Sequence, residues 1–150
     1  MMTEDAGLSL VLRTDGAARG NPGPAAAGVV IEAEDGRLLA RGRHYLGMLT
    51  SNQAEYRALI LGLKAVARRQ PASVMVKMDS ELVVNQMLGR YRVAHAGLQP
   101  LYAEARALVA ALPVVRFTHV PRADNALADR LANEALDEHT REQRAKRGGE

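Results

Sequence analysis

The chain has 150 residues, 20 Lys+Arg against 17 Asp+Glu for a formal charge of +3, and no Cys, no Trp and one Phe. Such a length, with 47% hydrophobic and 25% charged residues, suits one globular domain with its own core. The missing Cys excludes disulfides, thiolate zinc sites, iron–sulfur clusters and cysteine nucleophiles, and no apolar run nears the roughly 18 residues of a membrane span.

Taken in chain order, residues 8–14 (LSLVLRT) read as a strand ending at Asp15-Gly16 and a Gly/Pro-rich loop. A second strand follows over 26–34, an Asp35-Gly36 turn, and a third strand over 37–45. Asp-Gly between two such runs is a strong hairpin signal, so the opening reads as an antiparallel meander. Residues 52–69 switch to helical period, with Leu59, Leu63 and Val66 on one stripe and Asn52–Glu55 as a capping pair. A strand over 73–79, a Ser80-capped helix over 80–88 and an irregular stretch over 89–97 come next. The chain closes with a helix over 100–112, a strand over 114–120 broken by Pro121, and a helix over 124–139. Residues 140–150 (TREQRAKRGGE) read as a charged, disordered tail after a domain spanning 1–139. The order βββαβ, helices, βα predicts an α/β fold with a mixed sheet, an antiparallel meander feeding parallel crossovers.

Of the 20 cations 17 are Arg, whose forks suit phosphate oxygens, although Arg richness also follows from base composition alone. The start MMTEDAGLSLVLR puts acids before the apolar stretch, the reverse of a secretory leader, and a cytoplasmic setting is expected. The loop Gly20-Asn21-Pro22-Gly23-Pro24 lacks the Lys-Ser/Thr of a phosphate-binding loop. His44, His95, His119 and His139 show no metal-ligand spacing.

Four acids fall where strand or helix ends can present them at one rim. Asp15 closes the first strand and Asp79 the fourth, Glu55 lies in the first turn of the long helix, and Asp129 lies in the last helix. The crevice beyond strand carboxyl ends is where open α/β sheets bind ligands, and two strand-end acids suit a hard divalent cation. Each acid also has a plainer role. Glu55 can serve as a cap partner, Asp79 as a helix-start acid, Asp15 as a turn residue and Asp129 as a solvated surface acid.

Four motifs appear in order: TDGAARGNPGPAAAG over 14–28, TSNQAEYRAL over 50–59, MDSELV over 78–83 and VPRADNALADRLA over 120–132. Together they closely resemble type 1 ribonuclease H, over about 8–136 of the chain. The resemblance implies a ribonuclease H-like fold with a five-stranded mixed sheet flanked by helices. It further implies that Asp15, Glu55, Asp79 and Asp129 hold two Mg²⁺ ions, with Mn²⁺ as a substitute. The implied activity is endonucleolytic, largely sequence-independent hydrolysis of the RNA strand of RNA/DNA hybrids, leaving 5′-phosphate and 3′-hydroxyl ends. Asn52 matches a position contacting the hybrid's minor groove, Gly16 allows close backbone approach there, and Thr50 and Asn21 match positions binding phosphate of the DNA strand.

Two departures set this chain beside the shorter members of the family. The basic, Trp-containing insertion is reduced to 89–97 with Arg90 and Arg92 as its cations, and the His-bearing loop before the last acid is missing. Arg122 is the candidate replacement for that His, acting electrostatically on the leaving group or product phosphate. A monomer that binds the RNA/DNA hybrid and no membrane is expected, with double-stranded RNA as a candidate second substrate. The competing readings are a DNA nuclease of the same fold and a non-catalytic nucleic-acid-binding module.

Overall fold

The structure is a computed structural model and describes residues 6–148. Its elements in chain order are β1 (Ser9–Ala18), β2 (Gly23–Ala33), β3 (Leu38–Leu49), α1 (Ser51–Ala67), β4 (Ser73–Met78), α2 (Glu81–Met87), α3 (Gln99–Ala110), β5 (Val115–His119), a short 3-10 turn (Arg122–Asn125) and α4 (Ala126–Gly148). The five strands form one sheet in the order β3-β2-β1-β4-β5. The pairs β1–β2 and β2–β3 are antiparallel, and β1–β4 and β4–β5 are parallel. The expected meander followed by parallel crossovers is the observed topology.

Strand alternation sorts the core onto two faces. Leu10 and Leu12 of β1, Val29 and Ile31 of β2, and Val74, Val76 and Met78 of β4 bury against Tyr56, Leu59, Ile60 and Leu63 of α1. Val30 points the other way, into Ala128 and Leu131 of α4, and Ala26 packs on Ala135 and Leu136. Because β2 is covered on both faces, it reads as a nearly continuous apolar run. Gly28 has no room for a Cβ, which would meet the Ala128 carbonyl. The small residues of β2 therefore let α4 press onto the sheet.

Several boundaries differ from the sequence expectation: β2 starts at Gly23 rather than 26, and β3 runs on to Leu49 rather than 45. β1 does not end at Asp15-Gly16: it pairs on through Ala18, with Ala17 opposite Ala26 and Ala18 opposite Ala25. The turn comes four residues later, closed by Arg19 N–H donating to the Pro24 carbonyl at 2.9 Å. The α1 cap is not Asn52 with Glu55 but Thr50 with Gln53, each side chain bonded to the other residue's backbone N–H. Finally, the helix expected to stop at 139 continues to Gly148, so 140–148 is helical rather than a disordered tail. Gln, Glu, Arg, Ala and Lys are good helix formers, and extending an anchored helix needs no new nucleus. Neither Gly nor Pro interrupts it before Gly148.

Candidate active site

The parallel pairing of β1 with β4 brings Asp15 and Asp79 to the centre of the sheet. Asp15 lies inside β1, one residue past Thr14, whose buried side chain faces α1, so Asp15 faces the opposite side, where α4 arrives. Asp79 directly follows β4 and precedes the Ser80 cap of α2. Glu55 sits in the first turns of α1 and Asp129 in the first turn of α4. Asp15, Gly16, Ser51, Glu55, Asp79, Arg122 and Asp129 line one cleft of about 280 Å³.

Oxygens of Asp15, Glu55 and Asp79 all lie within 4.8 Å of one another. Asp15 is 6% exposed and Glu55 8%, which is costly for two carboxylates with no cation between them. Burial, then the charges of Glu55, Asp79 and Asp129, push the Asp15 carboxyl up from 3.8 to about 9. Burial also pushes Glu55 up from 4.5 to about 7, against the lowering effect of the Gly16 N–H. Burial and mutual repulsion thus favour the protonated forms of Asp15 and Glu55 where no cation offsets their charge. An all-oxygen, strongly acidic set fits a hard divalent ion such as Mg²⁺.

The backbone is shaped around the acids. Gly16 N–H donates to Glu55 Oε1. A Cβ on Gly16 would meet the Ala54 carbonyl and the Glu55 amide, so only Gly lets β1 and α1 approach this closely. This explains why an Asp-Gly pair stands inside a strand. The Thr50–Gln53 cap leaves Glu55 free for the cleft.

Asp129 lines the cleft outside the three-acid cluster. Arg122 donates to its Oδ1 at 3.4 Å, with the guanidinium 76% exposed. Asn133, one turn further on, donates to the Asp129 backbone carbonyl at 3.0 Å and to its Oδ1 at 3.3 Å. Asn21 and Thr50 meet at the start of α1: Asn21 Oδ1 accepts from Ser51 N–H at 3.0 Å, while Thr50 Oγ1 accepts from Gln53 N–H at 3.2 Å. Asn52 is exposed on the same turn. His119 ends β5 as an exposed residue, outside the cleft.

Sequence reasoning missed Asn125. It is 1% exposed and spans the site, its Nδ2 donating to the Thr14 carbonyl at 2.9 Å and to Asp79 Oδ1 at 3.4 Å. The available signal was its place four residues before Asp129, with Asn133 four residues after, so that two amides flank the acid at helical spacing.

The family model described as reverse transcriptase-like matches residues 13–135. Fold and carboxylate cleft together define the ribonuclease H-like class. Bifunctional protein Rv2228c of Mycobacterium tuberculosis is 44% identical over 87% of this chain and 36% of that protein. Ribonuclease HI of Halobacterium salinarum is 45% identical over 83% of this chain and 62% of that protein. The chain thus spans about a third of the first and about three fifths of the second. The solved structure of LC11-RNase H1 in complex with RNA/DNA hybrid matches with a TM-score of 0.85 at 42% identity, over 87% of this chain and 99% of that one. The chain belongs to the type 1 ribonuclease H family. Among the described residues no helix is inserted between α2 and α3, and no helix is long and apolar enough to cross a membrane.

Proposed function

We propose that this chain is an endonuclease that hydrolyses the RNA strand of RNA/DNA hybrids, leaving 5′-phosphate and 3′-hydroxyl ends. The single observation that carries the reading is the convergence of Asp15, Glu55 and Asp79 within 4.8 Å, on a frame shared with a relative solved on an RNA/DNA hybrid. Asp15, Glu55, Asp79 and Asp129 hold two divalent ions, Mg²⁺ by preference and Mn²⁺ as a substitute. When bound, such ions activate a water and stabilise the charge that develops on the phosphate and the leaving oxygen.

The protein's own groups do the rest. Gly16 N–H and Asn125 orient Glu55 and Asp79, so the carboxylates need not reorganise as charge develops. Asn133 and Arg122 both donate to Asp129 Oδ1. With its guanidinium largely in solvent, Arg122 is placed to meet a phosphate oxygen. Asn52 and the backbone beside Gly16 read 2′-hydroxyls in the shallow minor groove, and Thr50 and Asn21 take phosphate of the DNA strand. These contacts recognise sugar and shape, so cleavage is largely sequence-independent. The short connection between α2 and α3, with Arg90 and Arg92, leaves a weaker grip on the DNA strand, and double-stranded RNA is a slower second substrate. The enzyme acts as a cytoplasmic monomer.

The test is a hybrid labelled on each strand in turn, incubated with Mg²⁺ or Mn²⁺. Cleavage of the RNA strand alone is expected. Cleavage of the DNA strand, or binding with neither strand cut in either metal, refutes the assignment.

A further inference from the structure

The end of α4 has a charge pattern that the cleft does not use. Over 126–138 the helix carries Asp129, Glu134, Asp137 and Glu138, and these acids are engaged. Arg122 pairs with Asp129, Arg43 with Glu134 and Glu138 at 2.9 and 2.8 Å, and Arg19 with Asp137 at 2.7 Å. Near this point Leu136 is buried on Ala26, and His139 stacks on Tyr45 with ring centroids 3.7 Å apart. Over the described residues 140–148 the sign reverses: Arg141, Arg144, Lys146 and Arg147 accompany one acid, Glu142. All four cations are exposed, and among the described residues none has an ion-pair partner.

Helix electrostatics explain only part of this. Cations in a last turn complement the helix dipole, which accounts for Lys146 and Arg147. Arg141 and Arg144 precede that turn. At i, i+3 and i+6, Arg141, Arg144 and Arg147 share one face, so the helix projects a row of unpaired guanidinium groups.

α4 carries that row away from the cleft and past Arg43 and Tyr45 of β3, which line one pocket with Glu142. The helix starts at the cleft with Asp129, passes Gly28 at Ala128 and Ala26 at Leu136, and reaches Tyr45 at His139. It therefore advances toward the end of the sheet where Gly23 pairs with Leu49 and where Asn21 and Thr50 lie. At 1.5 Å per residue, the 15 residues from Asp129 to Arg144 span about 22 Å. That length equals six or seven base pairs of duplex at about 3.4 Å each.

We propose that Arg141, Arg144 and Arg147 form a second phosphate-binding surface, which holds the backbone of the nucleic-acid duplex at a distance from the cleft. This rests on the hybrid-nuclease reading and deepens it. With the connection between α2 and α3 reduced to a stretch carrying two cations, the α4 end supplies the remote grip. Its contribution is to affinity and not to the chemical step.

The experiment compares wild type, the triple variant R141Q/R144Q/R147Q and the charge-preserving R141K/R144K/R147K. Affinity for a 24-base-pair RNA/DNA hybrid is read by fluorescence anisotropy in EDTA from 50 to 200 mM salt. The kcat for the same hybrid is then measured in Mg²⁺. The Gln variant is expected to bind at least tenfold more weakly at 50 mM salt, with the slope of log Kd against log salt lowered by about 2 to 3. Its kcat and helicity stay unchanged, and the Lys variant recovers most of the affinity. Equal Kd and equal slope for wild type and the Gln variant overturn the proposal, as does a loss that Lys fails to restore. Binding and cleavage are scored separately. A chain that binds through these arginines yet leaves the RNA whole refutes the assigned activity and upholds the surface.

Discussion

Asp15→Asn removes the carboxyl that burial and three neighbouring acids hold at about 9 instead of 3.8. Between pH 3.8 and 7 the folded chain keeps a proton that the unfolded chain has released. A carboxyl raised in this way costs nothing below about pH 4, where both states are protonated. Its penalty then grows with pH until the folded group itself ionises near 9. Over the roughly 3 pH units up to neutrality, at about 1.4 kcal/mol each, the penalty reaches about 4 kcal/mol. Asn has the shape of the protonated carboxyl and no charge to give up. The gain is shared with Glu55 and Asp79, which still face each other, so the variant in EDTA at pH 7 is expected to be more stable by about 2–4 kcal/mol. For a domain of this size that raises Tm by roughly 5–15 °C. Guanidinium and thermal unfolding at pH 4 and pH 7, each in EDTA, measure it. A variant no more stable than the parent at pH 7, or one with the same advantage at both pH values, refutes the reasoning.

Three further outcomes follow from the same cluster. Mg²⁺ binding at pH 7 releases protons, because Asp15 and Glu55 are held at about 9 and about 7 without metal. Affinity accordingly falls as pH is lowered from 9 to 6, as calorimetry in buffers of different ionisation enthalpy detects. Gly16→Ala drives a Cβ into the Ala54 carbonyl and the Glu55 amide; a loss of about 1–3 kcal/mol is expected by chemical denaturation, together with weaker Mg²⁺ binding. Asn125→Ala leaves the Thr14 carbonyl without its side-chain donor and frees Asp79. It costs about 1–3 kcal/mol of stability, and the midpoint of a Mg²⁺ titration of cleavage rises.

The order of elements was legible because the strands carry β-branched and aliphatic runs and the helix at 52–69 shows a clear apolar stripe. That Asp15, Glu55, Asp79 and Asp129 line one cleft was legible because each lies in its own motif. Where local rules misled, a tertiary contact decided. Asp15-Gly16 has the chemistry of a turn, yet nine paired residues of β2 and the closeness of α1 keep it in a strand. Thr50 and Gln53 match the Ser/Thr-x-x-Glu/Gln capping pattern strictly, whereas Asn52 and Glu55 match it only in spacing, and the Thr50 register leaves Glu55 to the cleft. The last turns of α4 look like a solvated end by charge, but they grow from a helix already anchored by Leu136 and His139. Asn125 offered only its spacing to Asp129 as a signal, because its bonds to Thr14 and Asp79, 111 and 46 residues away, arise in the fold.

Strand-specific cleavage by wild type and Asp79→Asn tests the central claim most directly. With a hybrid labelled on both strands and Mg²⁺ present, wild type is expected to cut the RNA alone. Asp79→Asn should bind the same duplex in EDTA with affinity within about threefold of wild type and leave the RNA whole. RNA cut equally well by both proteins would contradict the account, because the cleft at Asp15, Glu55 and Asp79 would then not be where the reaction occurs.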